Sequence, residues 1–150
     1  MKLIGLILIV AGFLRLYAIE SHTEFLADQG SAGVVIYDWL KTGVAPLVGP
    51  TVSTGQRPGP AYYYIIVLPF ILSGFNPVVP AVVFALLGVA TVYLLLMIGK
   101  RWWSENAGYV MALLYATSPL IVSQNRNMWN PTLVPFFITL AFFGIVKRWY

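Results

Sequence analysis

Asp28 is the side chain best placed for chemistry. It opens a stretch, residues 28–42, in which Ala32, Val35, Ile36 and Trp39 recur at helical spacing. A carboxylate at the end of such a helix, beside a bilayer, can take the proton of a hydroxyl acceptor as a general base. The same carboxylate can equally cap the helix N-terminus, where the helix dipole favours negative charge. His22 and Glu24 lie nearby in sequence and with Asp28 could share a divalent cation. Their spacing matches no strong metal-ligand signature, so no metal or other cofactor is expected. Arg57 and Arg126 carry the forked guanidinium that suits the oxygens of a lipid-linked phosphate; either can instead lie among lipid headgroups. Tyr62 and Tyr63 can stack on a sugar, or belong with Tyr64 to an aromatic belt at the membrane surface. Asn130-Pro131 has the order of a helix cap followed by the first helical residue. Glu24, Gln29, Tyr62, Tyr63, Asn127 and Asn130 are the candidate substrate contacts. No P-loop, Rossmann glycine pattern, H-E-x-x-H or G-x-S-x-G occurs, and the lack of cysteine excludes disulfides and thiolate chemistry.

The elements that must position these groups are membrane helices. Hydrophobic residues make up 59% of the chain and charged residues only 9%, against about 25% charged in a soluble domain. The mean hydropathy is +0.81. The net charge of +4 comes from Lys and Arg at the ends of apolar runs, the mark of helix ends at a bilayer surface and not of a nucleic-acid-binding face. Residues 3–18 form a first, retained helix, because Arg15 interrupts the apolar run and no small-x-small cleavage site follows. Arg15 is expected to reach toward the far interface. Residues 78–99 are the clearest span, with Pro80 in the first turn, and residues 107–124 and 131–146 are two shorter ones. Residues 61–73 are apolar but too few to cross, and carry Pro69.

The expected fold class is therefore all-α integral membrane: about four transmembrane helices, a horizontal helix over residues 28–42, and an interfacial or re-entrant helix over residues 61–73. Lys and Arg concentrate in cytoplasmic loops, so Lys2, Lys100-Arg101 and Lys147-Arg148 should lie inside, with both termini cytoplasmic in a multi-pass plasma-membrane protein. Trp102, Trp103 and Trp149 then mark the inner interface. The long connection, residues 19–77, and the turn at residues 123–130 fall together on the outer side. They carry His22, Glu24, Asp28, Asp38, Arg57, Arg126, Asn127 and Asn130.

An ordered set of short motifs carries a resemblance. Phe13-Leu14-Arg15-Leu16-Tyr17 is followed by Asp28-Gln29, by Trp39-Leu40-Lys41-Thr42-Gly43, and by Arg57-Pro58-Gly59-Pro60-Ala61-Tyr62-Tyr63-Tyr64. Then come Leu95-Leu96-Met97-Ile98-Gly99-Lys100-Arg101, Ala107-Gly108, Ser118-Pro119, Arg126 and Trp129-Asn130-Pro131. In this order they resemble the N-terminal part of the C-superfamily membrane glycosyltransferases: the protein O-mannosyltransferases, the aminoarabinose transferases and the bacterial relatives in glycosyltransferase family 39. The resemblance implies a polyprenyl-phosphate sugar donor, a protein, lipid or glycan acceptor, and Asp28 as catalytic base. Two positions depart from the pattern. Gln29 stands where relatives often have a second acid, and Asn130 where many have Asp; an amide is neither a base nor a charged metal ligand. Relatives are also longer, so residues 1–150 are expected to form the N-terminal part of a larger glycosyltransferase module. The competing readings are a non-catalytic membrane scaffold or truncated homologue, and a small transporter, which would need charged groups along its spans beyond Arg15.

Overall fold

The computed structural model describes residues 2–52 and 55–148. Ser53 and Thr54 of the long connection, and Trp149, lie outside the described residues, as do the side chains of Lys2, Lys147 and Arg148. All regular elements among the described residues are helical. The chain runs through α1 (Lys2–Leu16), the single turn α2 (Ile19–His22), α3 (Ala27–Thr42), α4 (Ala61–Leu72), α5 (Val78–Trp102), α6 (Glu105–Thr117), α7 (Pro119–Asn125), a 3-10 turn (Asn130–Leu133) and α8 (Val134–Arg148).

Local chemistry sets several of these boundaries. α1 ends before Ala18, a left-handed residue with φ 49°. α3 stops at Gly43, whose φ of 73° and N–H bond to the Trp39 carbonyl form the expected C-terminal closure. Ser104 caps α6 by accepting the Ala107 N–H at 3.1 Å. Along the chain before it, Lys100 reaches over the α5–α6 turn to Glu105 at 2.8 Å.

α5, at 25 residues, is the one helix among the described residues long and apolar enough to cross a membrane by itself. α1 and α4 are shorter apolar helices, and α4 has only 12 residues, as the sequence led us to expect for residues 61–73. The expected span over residues 107–124 is not one helix. Ser118 adopts an extended conformation (φ −60°, ψ 118°) and splits it into α6 and α7, because a residue before proline is pushed out of the helical region. The last expected span is also reshaped. The chain bends by 112° between α7 and the segment Asn130–Ile145, and Asn130 lies inside a 3-10 turn capped by Trp129, with α8 beginning only at Val134. Asn130 is therefore not the cap of an α-helix.

Two apolar clusters hold the bundle. One joins α1, α5 and α6 through Ile7, Ala11, Val92, Leu96, Ala112 and Ala116. The other joins α3 and α4 to α5 and the last turn through Ile36, Tyr62, Ile66, Phe70, Phe84 and Met128. The side chains of α3 that the helical spacing placed inward do pack: Ala32 and Ile36 are buried, and Trp39 meets Tyr64 edge-on at 5.4 Å. α5 and α6 run back to back at a glycine contact, where a Cβ added to Gly99 would lie 2.5 Å from the Gly108 Cα. This antiparallel pair puts the Trp103–Ser104 turn at one end of the bundle, and the long connection with residues 123–130 at the other.

Candidate active site

The site is assembled at that second end. Asp28 is in the first turn of α3 but is not its cap, which corrects one of the two readings of this residue. The N-cap position is Leu26, and its N–H is taken by the Gln29 side-chain oxygen at 3.0 Å. Gln29, buried, thus does the structural work at the helix start. The Asp28 carboxylate is left exposed, and one oxygen, Oδ2, accepts the indole N–H of Trp129 at 3.2 Å. Trp129 comes from the turn a hundred residues along the chain.

Asp28 and Trp129 stand in the walls of two clefts at once. The first, about 430 Å³, is lined in addition to this pair by Glu24, Gln29, Ser123, Gln124 and Asn127, with Leu26 and Ala27 completing the wall. The second, about 480 Å³, is lined besides by Thr51, Tyr62, Asn130 and Pro131. Tyr62, Asn130 and Pro131 are shared with an apolar groove of about 520 Å³ that continues between α4 and α8 past Ile65, Leu133 and Phe137. The second cleft, which Asp28 lines, therefore adjoins a surface suited to hydrocarbon.

Of the candidate residues, Asp28, Glu24, Gln29 and Asn127 meet in the first cleft, while Tyr62 and Asn130 join Asp28 in the second. Tyr62 and Tyr63 are buried at 7% and 4% exposure, so they are core residues and not an aromatic belt. The Tyr62 hydroxyl donates to the Met128 carbonyl at 2.9 Å, which fixes the turn before Trp129. Arg57 is exposed and donates to Oγ1 of Thr51, a residue that lines the second cleft, at 3.2 Å, but does not itself line that cleft. Arg126 lies elsewhere. Its guanidinium donates to the Leu14 carbonyl at the end of α1, and it lines a separate cavity of about 460 Å³ with His22 and Glu24. The two arginines do not share a cleft. No group of three metal-binding side chains occurs among the described residues; Asp28 lines a different cavity from His22.

Two side chains take positions that the sequence did not announce. Trp129 was legible only as part of a motif, since nothing local says that its N–H finds a carboxylate. Arg15 was expected at an interface, yet it is completely buried. The signal for it was available: a guanidinium inside an apolar helix needs acceptors, and Pro119 strands one by having no N–H to give the Tyr115 carbonyl.

Removing the Tyr62 hydroxyl tests how firmly the turn is held. Tyr62→Phe leaves the Met128 carbonyl without its partner in the core, at an expected cost of about 1–3 kcal/mol. Thermal unfolding of the purified protein in detergent measures it, and an unchanged midpoint would mean that the bond contributes nothing to the turn.

The described residues form an all-helical bundle, one helix of which is long and apolar enough to cross a membrane, with a carboxylate-bearing cleft at one end. The chain belongs to the dolichyl-phosphate-mannose-protein mannosyltransferase family, whose sequence model matches residues 56–148. The match covers more than half of the chain and takes in Arg57, Tyr62, Arg126, Trp129 and Asn130, but begins after Asp28. No curated protein and no solved structure matches the chain. At the level of the family, this is a membrane protein of the glycosyltransferase type.

Proposed function

We propose that the chain forms the catalytic N-terminal part of a glycosyltransferase that moves a sugar from a polyprenyl-phosphate donor to a hydroxyl acceptor on the non-cytoplasmic side of the plasma membrane. The observation that carries this reading is the position of Asp28: exposed, hydrogen-bonded to Trp129, and shared by a cleft that holds Glu24, Gln29 and Asn127 and a cleft that adjoins an apolar groove. In this reading Asp28 removes the acceptor proton as the acceptor oxygen attacks the anomeric carbon. The bond from that carbon to the phosphate oxygen breaks, its electron pair leaves with the lipid phosphate, and the configuration inverts. Arg57, hydrogen-bonded to Thr51 of the groove-side cleft, supplies the cation for the departing phosphate in this reading. Asn127 and Glu24 face the other cleft as acceptor contacts.

The test is transfer of labelled sugar from a polyprenyl-phosphate donor by the purified full-length protein in liposomes. Transfer to a hydroxyl acceptor with inversion is the expected result. Failure with every such donor would overturn the reading in favour of a non-catalytic scaffold. The proposed orientation, four spans with both termini inside, has its own test in intact cells. A cysteine introduced by Gln124→Cys should react with a membrane-impermeant thiol reagent from outside, and one introduced by Ser104→Cys should not. Labelling of the second from outside would reverse the topology.

A further inference from the structure

We infer that Arg15, remote from the reacting groups, is a positioning residue that holds a break in the helical bundle open in the one shape that brings Trp129 to Asp28. Its guanidinium is fully buried between α1, α5 and the α6–α7 break. Nε donates to Asn125 Oδ1 at 2.9 Å, Nη1 to the carbonyls of Ala11 at 3.2 Å and Ala116 at 3.0 Å, and Nη2 to the carbonyl of Tyr115 at 3.0 Å. Two of these acceptors exist because the helix is interrupted. The Tyr115 carbonyl would bond the N–H of residue 119, and Pro119 has none; the extended Ser118 carries the following turn away from Ala116. A buried cation thus satisfies the carbonyls that the break exposes, and its rigid planar fork, meeting all four oxygens at once, ties α1, the break and Asn125 to one geometry. Gly88 makes the space: a Cβ there would overlap Asn125 Oδ1 and lie 2.9 Å from Arg15 Nε.

The consequence reaches the site through five consecutive residues, each tied to a different partner. Asn125 is held by Arg15. Arg126 gives its side chain to the Leu14 carbonyl and its own carbonyl to the Thr23 hydroxyl at 3.2 Å. Asn127 Oδ1 accepts the Glu24 N–H at 2.7 Å. The Met128 carbonyl accepts from Tyr62, and the Trp129 indole donates to Asp28. Shifting the first of these ties moves the frame that carries the last. The kinetic part of this inference rests on the glycosyltransferase reading; the structural part does not.

The experiment pairs an activity-independent readout with kinetics, in a cysteine-free background of the full-length protein. Ala27→Cys and Gln124→Cys, which face the same cleft from α3 and α7 and whose side chains make none of these ties, are introduced together and joined by a short bifunctional thiol reagent, with and without Arg15→Gln. The fork's loss is expected to lower the cross-linking yield at least about twofold, and, without the cysteines, to lower kcat by about 10²-fold, the cost of misplacing reacting groups by an ångström. The KM for the donor should change little. Arg15→Lys, with a point charge in place of the fork, should fall between. If Arg15→Gln does not fold, Asn125→Ala and Gly88→Ala disturb the same cluster and are read in the same way. Wild-type cross-linking in the folded variants overturns the inference. So does a loss confined to the yield of folded protein, with kcat per folded molecule unchanged. If the wild-type protein transfers no sugar, the functional reading fails while the cross-link still decides the clamp.

Discussion

Asp28→Asn in the full-length protein is expected to lower sugar transfer by about 10²–10⁴-fold, the usual worth of a general base, without disturbing insertion or folding. The structural part of this expectation follows from how α3 begins. Gln29, not Asp28, closes the helix start by taking the Leu26 N–H, so the substitution removes no cap. An Asn side-chain oxygen can still accept the Trp129 indole N–H, which keeps the link between α3 and the distant turn. The charge itself sits in the first turn of the helix, and losing its attraction to the dipole costs about 0.3–1 kcal/mol. What the amide cannot do is hold a proton taken from an acceptor hydroxyl. Rates from a polyprenyl-phosphate donor, measured beside unfolding midpoints in the same detergent, separate the two. Near-normal transfer by a stable Asp28→Asn protein would send the search for the base to another side chain, with Glu24 in the same cleft the first to examine.

Gly108→Leu should be the most damaging single change in the bundle. A Cβ at Gly108 would stand 2.6 Å from the Leu96 carbonyl oxygen and 2.8 Å from the Lys100 nitrogen. Both are backbone atoms of α5, which cannot turn aside as a side chain can. α5 and α6 would have to separate along the contact that small residues make possible in membrane helices, and the ties of Ala112 and Ala116 to α1 would loosen with it. The expected loss is at least about 3 kcal/mol, the upper part of the range for overpacking, read as a lower unfolding temperature or as failure to accumulate. Gly5→Leu is the control, because a Cβ at Gly5 meets nothing within 4 Å. Equal stability of the two variants would mean that the helices do not approach so closely.

What the sequence made legible, and what it hid, divides along the range of the interactions. The α3 closure at Gly43, the inward face of Ala32 and Ile36, and the shortness of α4 depend on neighbours a few residues away, and each follows from propensity and period. The resemblance, too, reads as the family assignment does, because motifs such as Arg126 with Trp129-Asn130-Pro131 keep their order in the chain. The break at Ser118 was also local and could have been read from Pro119; the apolar run around it outweighed the proline. The remaining errors are non-local. Nothing near Asp28 announces an indole from residue 129, nothing near Arg15 announces Asn125, and a tyrosine next to a Gly/Pro loop reads as interfacial until Phe84 and Met128 are packed on it. Arg126 belongs with these: its partner is the last turn of α1.

The unequal lengths of the helices have a mechanical consequence for the surrounding lipid. At 1.5 Å per residue, α5 with its 25 residues is about 37 Å tall, more than the roughly 30 Å of a hydrocarbon core. α4 with 12 residues is about 18 Å tall, and it turns Leu68, Ile71 and Leu72 outward. Such a bundle has no single hydrophobic thickness. α4, read as an interfacial or re-entrant element, is too short to reach across a core that α5 is long enough to cross, so it would occupy one leaflet only. An apolar element confined to one leaflet would leave the opposite leaflet beneath it to lipid tails, on the flank where the apolar groove begins.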